Sequence, residues 1–392
     1  MIRQAAKQVV CGISGGVDSA VAALLLKKKG FHVTGAFMRN WDTKDEFGEC
    51  RADKDLEDAK LVCSHLHIPL HEVNFVKEYW NEVFTPFLEN YQKAWTPNPD
   101  ILCNKYIKFD AFFDHAINNL GADYVATGHY ARSSYGEYME NYNKESGAKL
   151  LRALDDWKDQ TFFLSQINQR ALQKTIFPLG DIPKEFVKQI AHSAGLSKIA
   201  EKKESMGICF IGKRKFKNFI AEYIPPKPGQ FVDVDTKQVL AEHKGIHNYT
   251  LGQRISCPGL KFPYYVVEKD AKTQEILVAA GTNHPALFTT TVFTDCAHWI
   301  HSPPRLLLQD QMLDCQMRFQ HVHPLTDCTL TLCGNNCLII NIAQPMRAIT
   351  PGQYAVFYLG DECLGSAQIM QTGATLYTLG HREQVNNLPG FT

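Results

Sequence analysis

Two kinds of position in this sequence have residue types and spacing suited to chemistry: a glycine-rich loop and two cysteines in unusual surroundings. The loop is Ser14-Gly15-Gly16-Val17-Asp18-Ser19, which follows an apolar run and leads straight into a helix-like one. Adjacent glycines let backbone N–H groups turn toward an anion, and the helix start behind them adds positive partial charge. Ser14 and Ser19 bring hydroxyl donors, and Asp18 brings a carboxylate suited to a magnesium ion on phosphate oxygens. The loop reads as a triphosphate site. It lacks the Gly-Lys-Ser/Thr ending of a Walker A loop, so a cut between the β and γ phosphates is not expected.

The cysteines are Cys103, in Thr96-Pro97-Asn98-Pro99-Asp100-Ile101-Leu102-Cys103-Asn104-Lys105, and Cys209, in Glu204-Ser205-Met206-Gly207-Ile208-Cys209-Phe210-Ile211-Gly212. The prolines predict a loop around Cys103, with Lys105 close enough in sequence to favour a thiolate. Cys209 lies between two glycines and after Lys202 and Lys203, again a setting for negative sulfur. The alternative for any single cysteine is a small buried hydrophobe. Read from their surroundings, both are candidate nucleophiles.

The Ser-Gly-Gly-Val-Asp-Ser loop resembles that of the PP-loop, or N-type ATP pyrophosphatase, superfamily. That resemblance implies cleavage of ATP between the α and β phosphates and transfer of AMP to a substrate oxygen. It does not choose the substrate, because the superfamily includes small-molecule synthetases as well as tRNA-modifying enzymes. The words around Cys103 and Cys209, together with Thr250-Leu251-Gly252-Gln253-Arg254 and Thr350-Pro351-Gly352-Gln353, are similar to motifs of the tRNA-specific 2-thiouridylases. The likeness covers nearly the whole chain. Lys202-Lys203-Glu204-Ser205-Met206-Gly207 looks like the animal mitochondrial branch, which implies mitochondrial residence. The chain departs at Ala94-Trp95, where a Gly-Arg pair usually precedes the Thr-Pro-Asn-Pro motif.

The family resemblance implies a role for each matching residue. Gly12, Ile13, Ser14, Gly15, Gly16, Val17, Asp18, Ser19, Met38 and Gly128 line up with its ATP site, Mg2+ accompanying the nucleotide. Cys209 would carry a persulfide supplied by an upstream sulfur donor or relay protein, and Cys103 would be its partner nucleophile. A disulfide between them accounts for the electrons when the outer sulfur leaves. Asp100 is the implied acid or base, the alternative being a turn-forming aspartate. Asn98, Pro99 and Asp100 match contacts to the target base, the wobble uridine of the tRNA anticodon loop, which must swing out to be reached. His129, Lys158, Asp159, Gln160, Arg318, Phe319 and Gln353 match tRNA contacts. Lys213-Arg214-Lys215-Phe216-Lys217 adds local positive charge, although such runs are more often solvated faces.

Rival readings each leave residues without a task. A ligase that adenylates a small molecule gives none to the cysteines. A non-catalytic tRNA-binding or sulfur-carrier protein gives none to the loop. An iron–sulfur thiolase needs a tight Cys-x-x-Cys pair, which the sequence lacks.

Positioning these residues requires an α/β framework. Strand-like runs at Gln8 to Ile13, His32 to Met38, Pro69 to Phe75 and Asp123 to His129 alternate with helix-like runs at Ser19 to Lys29, Ala52 to His67 and Ile107 to Leu120. This alternation predicts a doubly wound parallel sheet, with the loop and Gly128 at the C-terminal ends of strands. In the first helix Val21, Leu24 and Leu25 share a face, three lysines end it, and Gly30 is placed for a left-handed cap. Beyond about Lys217 the chain becomes β-rich, with runs at Tyr264 to Lys269, Glu275 to Ala280, Cys328 to Cys333, Cys337 to Ile342 and Tyr354 to Leu359. The expected division is a catalytic ATP-binding domain over 1–217, a small central domain over 218–282, a tRNA-contacting β-barrel over 283–380 and a tail over 381–392. Cys333-Gly334-Asn335-Asn336-Cys337 has metal-like spacing but reads as a hairpin turn, so no metal site is assigned.

Composition sets the outer bounds. At 392 residues, with 45% hydrophobic and 21% charged content, the chain reads as two or three folded domains. Lys plus Arg and Asp plus Glu stand at 41 each, so nucleic-acid contact must come from local patches. No apolar run approaches the about 20 residues that span a bilayer, which argues against a membrane role. Twelve cysteines without a secretory signal read as reduced thiols. Met1 to Gln8, with Arg3 and Lys7 and no acid, is compatible with an organellar address.

Overall fold

The computed structural model describes residues 6–42, 51–203, 210–211, 216–260, 262–321 and 323–380. Cys50, Cys209 and Lys213 to Lys215 lie outside the described residues.

The N-terminal strands form a five-stranded parallel sheet in the order β3-β2-β1-β4-β7. Its members are β1 (Gln8–Gly12), β2 (His32–Arg39), β3 (Leu70–Asn74), β4 (Tyr124–Ala126) and β7 (Thr175–Ile176), with a hairpin of β5 (Arg132–Ser133) and β6 (Leu150–Leu151) set apart from them. Chain order runs outward in both directions from β1, so a topological switch point, where open sheets bind ligands, lies between β1 and β4. Helix α1 (Val17–Lys28) follows β1, and α2 (Arg51–Leu66) follows β2. The end of α1 is a Schellman cap: Gly30 has φ +95°, its N–H donates to the Lys27 carbonyl at 3.0 Å, and that of Phe31 to Leu26 at 3.2 Å. The helix is not the one-faced amphipath its pattern predicted. Val17, Ser19 to Leu24 and Leu26 are all buried, because alanines let neighbouring elements approach from several sides.

Two corrections concern the path between α2 and β4. The expected strand Asp123 to His129 closes after Ala126, since Thr127, Gly128 and His129 turn across the start of α1. The expected loop at Cys103 is helical: Asn98 caps a short helix Pro99–Leu102, which runs into a π-helical stretch Cys103–Ala111 and then into Phe112–Asn118. Pro99 occupies the first helical position, where its missing N–H has no partner to lose.

Four strands form the central sheet: β8 (Gly229–Asp233), β9 (Val239–His243), β10 (Tyr264–Lys269) and β11 (Ile276–Ala280), in the order β10-β11-β8-β9. The C-terminal strands are β12 (Phe288–Cys296), β13 (His298–Trp299), β14 (Met312–Arg318), β15 (Thr326–Cys333), β16 (Cys337–Arg347), β17 (Tyr354–Leu359) and β18 (Glu362–Thr372). Six of them run β12-β16-β15-β14-β17-β18, and β18 pairs with β12 to close a barrel. Cys333 and Cys337 do flank a hairpin, with Asn335 and Asn336 at φ +60° and +63°. The barrel is tied to the first domain because β6 pairs with β18, Leu150 opposite Cys363.

Candidate functional site

The glycine-rich loop leaves the sheet after Ile13, whose N–H still donates to the Ala36 carbonyl at 2.8 Å. Gly15 takes φ +74°, and a Cβ there would stand 2.4 Å from the Asp55 carbonyl oxygen, so only glycine fits against α2. A Cβ on Gly16 would meet only Ser14 Oγ, at 3.4 Å, which leaves a hollow before the N–H groups of α1. Ser19 Oγ accepts from the Ser14 N–H at 3.1 Å and donates to the Gly16 carbonyl at 3.0 Å, fixing the loop's turn. Val17 is buried and anchors the first turn. A Cβ on Gly128 would fall 2.7 Å from the Asp18 carbonyl carbon and the Ser19 nitrogen, and one on Gly12 would fall 3.3 Å from the Met38 methyl. All ten sequence-predicted nucleotide residues therefore gather at the ends of β1, β2 and β4, around the switch point.

Charged neighbours of the loop come from far along the chain. Lys184 Nζ lies 2.5 and 2.7 Å from the two carboxylate oxygens of Asp18, and the Tyr130 hydroxyl donates to the same group at 2.9 Å. Lys202 Nζ donates to Asp55 at 2.8 Å, to Asp58 at 2.6 Å and to the Gly15 carbonyl at 3.3 Å. It thus braces the glycine-rich loop rather than approaching a cysteine by itself. Sequence reasoning missed Lys184 and Tyr130. Lys184 did leave a signal, being a cation that opens the helix Lys184–Ser193, where the dipole disfavours positive charge.

Cys103 is 5% exposed and belongs to the main core, at the junction of the Pro99–Leu102 helix and the π-helical stretch. Asp100, three residues earlier, shares its helical face. Asp100 is exposed at its surface, and partial loss of hydration against the packed helix raises its carboxyl above the ordinary aspartate range. The Lys108 ammonium pulls the other way. Lys105, expected to favour a thiolate, turns instead to Gln166 Oε1 at 3.0 Å. Lys108 is the cation of this wall, a residue the sequence did not single out. Its Nζ is 3.4 Å from His129 Nε2, while Thr127 Oγ1 is 2.7 Å from His129 Nδ1. Burial and the Lys108 charge hold the His129 imidazole well below its ordinary pKa, hence neutral. Through Lys108, His129 and Gly128, the cysteine helix and the glycine-rich loop form one continuous wall. Phe210, next in sequence to Cys209, is 1% exposed and packs among Trp41, Phe84, Phe87 and Phe219.

The barrel completes this wall. Gln353 donates to the Thr96 carbonyl at 2.7 Å, and its Oε1 accepts from Asn98 Nδ2 at 3.3 Å, so Gln353 holds the loop that starts the cysteine helix. Behind it Asp159, 0% exposed, pairs with Arg318, 4% exposed, which also donates to the Tyr358 hydroxyl at 3.2 Å. Asp159, Arg318 and the buried Phe319 turn their side chains inward and shape the domain junction. Lys158 and Gln160 flank Asp159 with partly exposed surfaces, and His129 and Asn98 are also partly exposed. Pro99 is buried.

Comparisons with known proteins bear on the whole chain. Residues 7–213 match the model described as tRNA methyl transferase HUP domain, 217–280 its PRC-barrel domain, and 289–369 an aminomethyltransferase beta-barrel domain. The chain is 52% identical over 392 residues to the mitochondrial tRNA-specific 2-thiouridylase 1 of Homo sapiens, covering 96% of this chain and 93% of that one. To the protein of the same name in Drosophila melanogaster it is 52% identical, covering 93% and 94%. To the tRNA-specific 2-thiouridylase MnmA of Alkaliphilus oremlandii it is 46% identical, covering 93% and 97%.

Proposed function

The chain belongs to the tRNA-specific 2-thiouridylase family, and from that premise we propose that it uses ATP to activate a tRNA wobble uridine for replacement of its 2-oxygen by cysteine-borne sulfur. It is a tRNA-uridine 2-sulfurtransferase, and its relatives in animals are mitochondrial, which assigns it to that compartment. The observation that carries the mechanistic reading is the continuous wall from the glycine-rich loop through His129 and Lys108 to Asp100 and Cys103.

A uridine C2 carbonyl is a poor electrophile and its oxygen a poor leaving group, so the oxygen must first be activated. In this reading ATP lies over Gly12 to Ser19, Met38 and Gly128, its phosphates at the N–H groups of α1. The C2 oxygen attacks the α phosphorus, diphosphate leaves, and AMP becomes the leaving group. The partly exposed Asp18 carboxylate fits a magnesium ion, which would neutralise phosphate charge, and Lys184 would shift from Asp18 toward the phosphates. The Lys108 ammonium lies where negative charge would develop beside Asp100. A sulfur donor protein would load Cys209 as a persulfide, whose outer sulfur attacks C2 as AMP departs. Cys103 then attacks the inner sulfur, the S–S bond breaks, and sulfur stays on the base. A Cys103–Cys209 disulfide remains, and an external dithiol resets it. Asn98, Pro99 and Asp100 would meet the flipped base, while Lys158 and Gln160 offer polar surface to the anticodon arm.

The test is nucleotide turnover. ATP should give AMP and diphosphate, and only when a cognate unmodified tRNA is present. Turnover to ADP and phosphate, or AMP formation with a small molecule in place of tRNA, contradicts the reading.

A further inference from the structure

Three cysteines form a row across adjacent strands at one end of the barrel. Cys337 of β16 has Cys296 of β12 directly opposite on one side and Cys333 of β15 on the other. A bulge in β12 between Phe293 and Cys296 sets the register that makes Cys296 and Cys337 partners. The Ala297 N–H donates to the Asn336 carbonyl at 2.9 Å, one residue beyond the pair on each strand. Cys296 and Cys337 are therefore a non-hydrogen-bonded pair, the arrangement with the shorter Cα separation of about 4.5 Å. That spacing falls inside the range of about 4.4–6.8 Å over which a disulfide closes. Their sulfurs are 3.9 Å apart. Cys333 is turned differently, its thiol donating to the Cys337 carbonyl at 3.3 Å.

Access separates this pair from the one formed by Cys315 of β14 and Cys328 of β15. Cys315 and Cys328 also face each other, with sulfurs 3.8 Å apart, but both are buried. Cys296 is exposed, and it lines a cavity of about 400 Å³ that Leu102, Lys105 and Tyr106 from the cysteine helix also line. We propose that Cys296 and Cys337 are a modification site: a low-molecular-weight disulfide of the glutathione type converts them reversibly to an intramolecular disulfide.

The steps balance. The Cys296 thiolate attacks one sulfur of the small disulfide, whose S–S bond breaks, and one small thiolate leaves. A mixed disulfide remains on Cys296. Cys337 attacks the Cys296 sulfur, expels the second small thiolate and closes the protein disulfide. The two cysteines lose two electrons to the small disulfide, and their two protons pass to the departing thiolates. Surface exposure places such a bond among the labile disulfides, which a dithiol reverses. The bond would fasten β12 to β16 beside the cavity that Leu102 and Lys105, near Cys103, also line.

The chemistry is independent of tRNA and ATP, so it can be tested apart from the thiolation reading. The folded full chain is incubated with oxidised glutathione, quenched by alkylation and digested for mass analysis. The expected product is a Cys296–Cys337 cross-linked peptide that disappears on reduction. In Cys337→Ser the expected product is glutathione held on Cys296, and in Cys333→Ser the cross-link persists. The wild-type measurement requires no variant to fold. Cys296 and Cys337 both recovered as alkylated thiols, or a Cys333–Cys337 bond formed in their place, overturns the proposal.

Discussion

Asp100 is the residue whose environment does most to define its role. Protein crowding raises its carboxyl, Lys108 lowers it, and Cys103 stands one helical turn away. A group so placed accepts a proton more readily than an ordinary aspartate, which suits acid–base work. Asp100→Asn should lower the thiolation rate by about 10²–10⁴-fold and remove the acidic limb of the pH–rate profile, as single-turnover assays would read. A change confined to KM would remove the acid–base role. Gly128 makes the second residue-scale prediction. In Gly128→Ala the new methyl meets the backbone of Asp18 and Ser19 at 2.7 Å, so the start of α1 must move. ATP binding, followed by calorimetry, should weaken about tenfold or more, the effect of losing about 1.4 kcal/mol. Of these residues, Asp100 was visible in the sequence through its neighbours Pro99 and Cys103. Lys108 was not, and Lys184 left only the mark of a cation at a helix start, because each meets its partner only after the chain has folded.

At the scale of elements, local pattern carried the N-terminal sheet well. β1, β2 and β3 and helices α1 and α2 fall within a residue or two of the expected runs, because apolar strands and a glycine-capped helix leave strong periodic signals. The pattern failed where tertiary packing overrode it. Prolines at 97 and 99 predicted a loop, and one of them instead opens a helix. The apolar run to His129 predicted a longer strand, but packing against α1 turns the chain after Ala126. In the barrel, β12 is threonine-rich and offers little apolar alternation, so its place was set by pairing with β16 and β18. The Asp159–Arg318 pair crosses the junction between domains and is buried on both sides. Arg318→Met leaves the Asp159 carboxylate without its cation and should cost about 3–5 kcal/mol in denaturant unfolding. Adding Asp159→Asn should restore most of that loss. An unchanged midpoint in the single variant would show that the pair contributes nothing.

Over the whole molecule, charge sums to zero, and the electrostatic character lies in how groups are buried. His129, His243, His247, His298, His321 and His323 are all held below their ordinary pKa, burial being the first cause in each case. The unfolded chain takes up protons on these groups near about pH 6.5, while the folded protein resists. Their contribution to stability is therefore complete above that pH and is lost as pH falls below it. Melting temperature should hold steady from pH 8 to 7 and drop with increasing slope below about pH 6.5, and calorimetric scans would read this directly. A melting temperature that rises on acidification would contradict the assignment. The sequence counted the histidines but carried no sign of this shared neutrality, which depends on packing from several domains.

The central claim is sulfur transfer to a tRNA uridine through two cysteines, and nucleoside mass analysis tests it most directly. A cognate unmodified tRNA would be incubated with the protein, Mg-ATP and a persulfide source, in parallel with Cys209→Ala and Cys103→Ala. The account predicts 2-thiouridine with the wild type and its loss in both variants. Cleavage of ATP to AMP without any thiouridine, or undiminished thiouridine in Cys209→Ala, would contradict it.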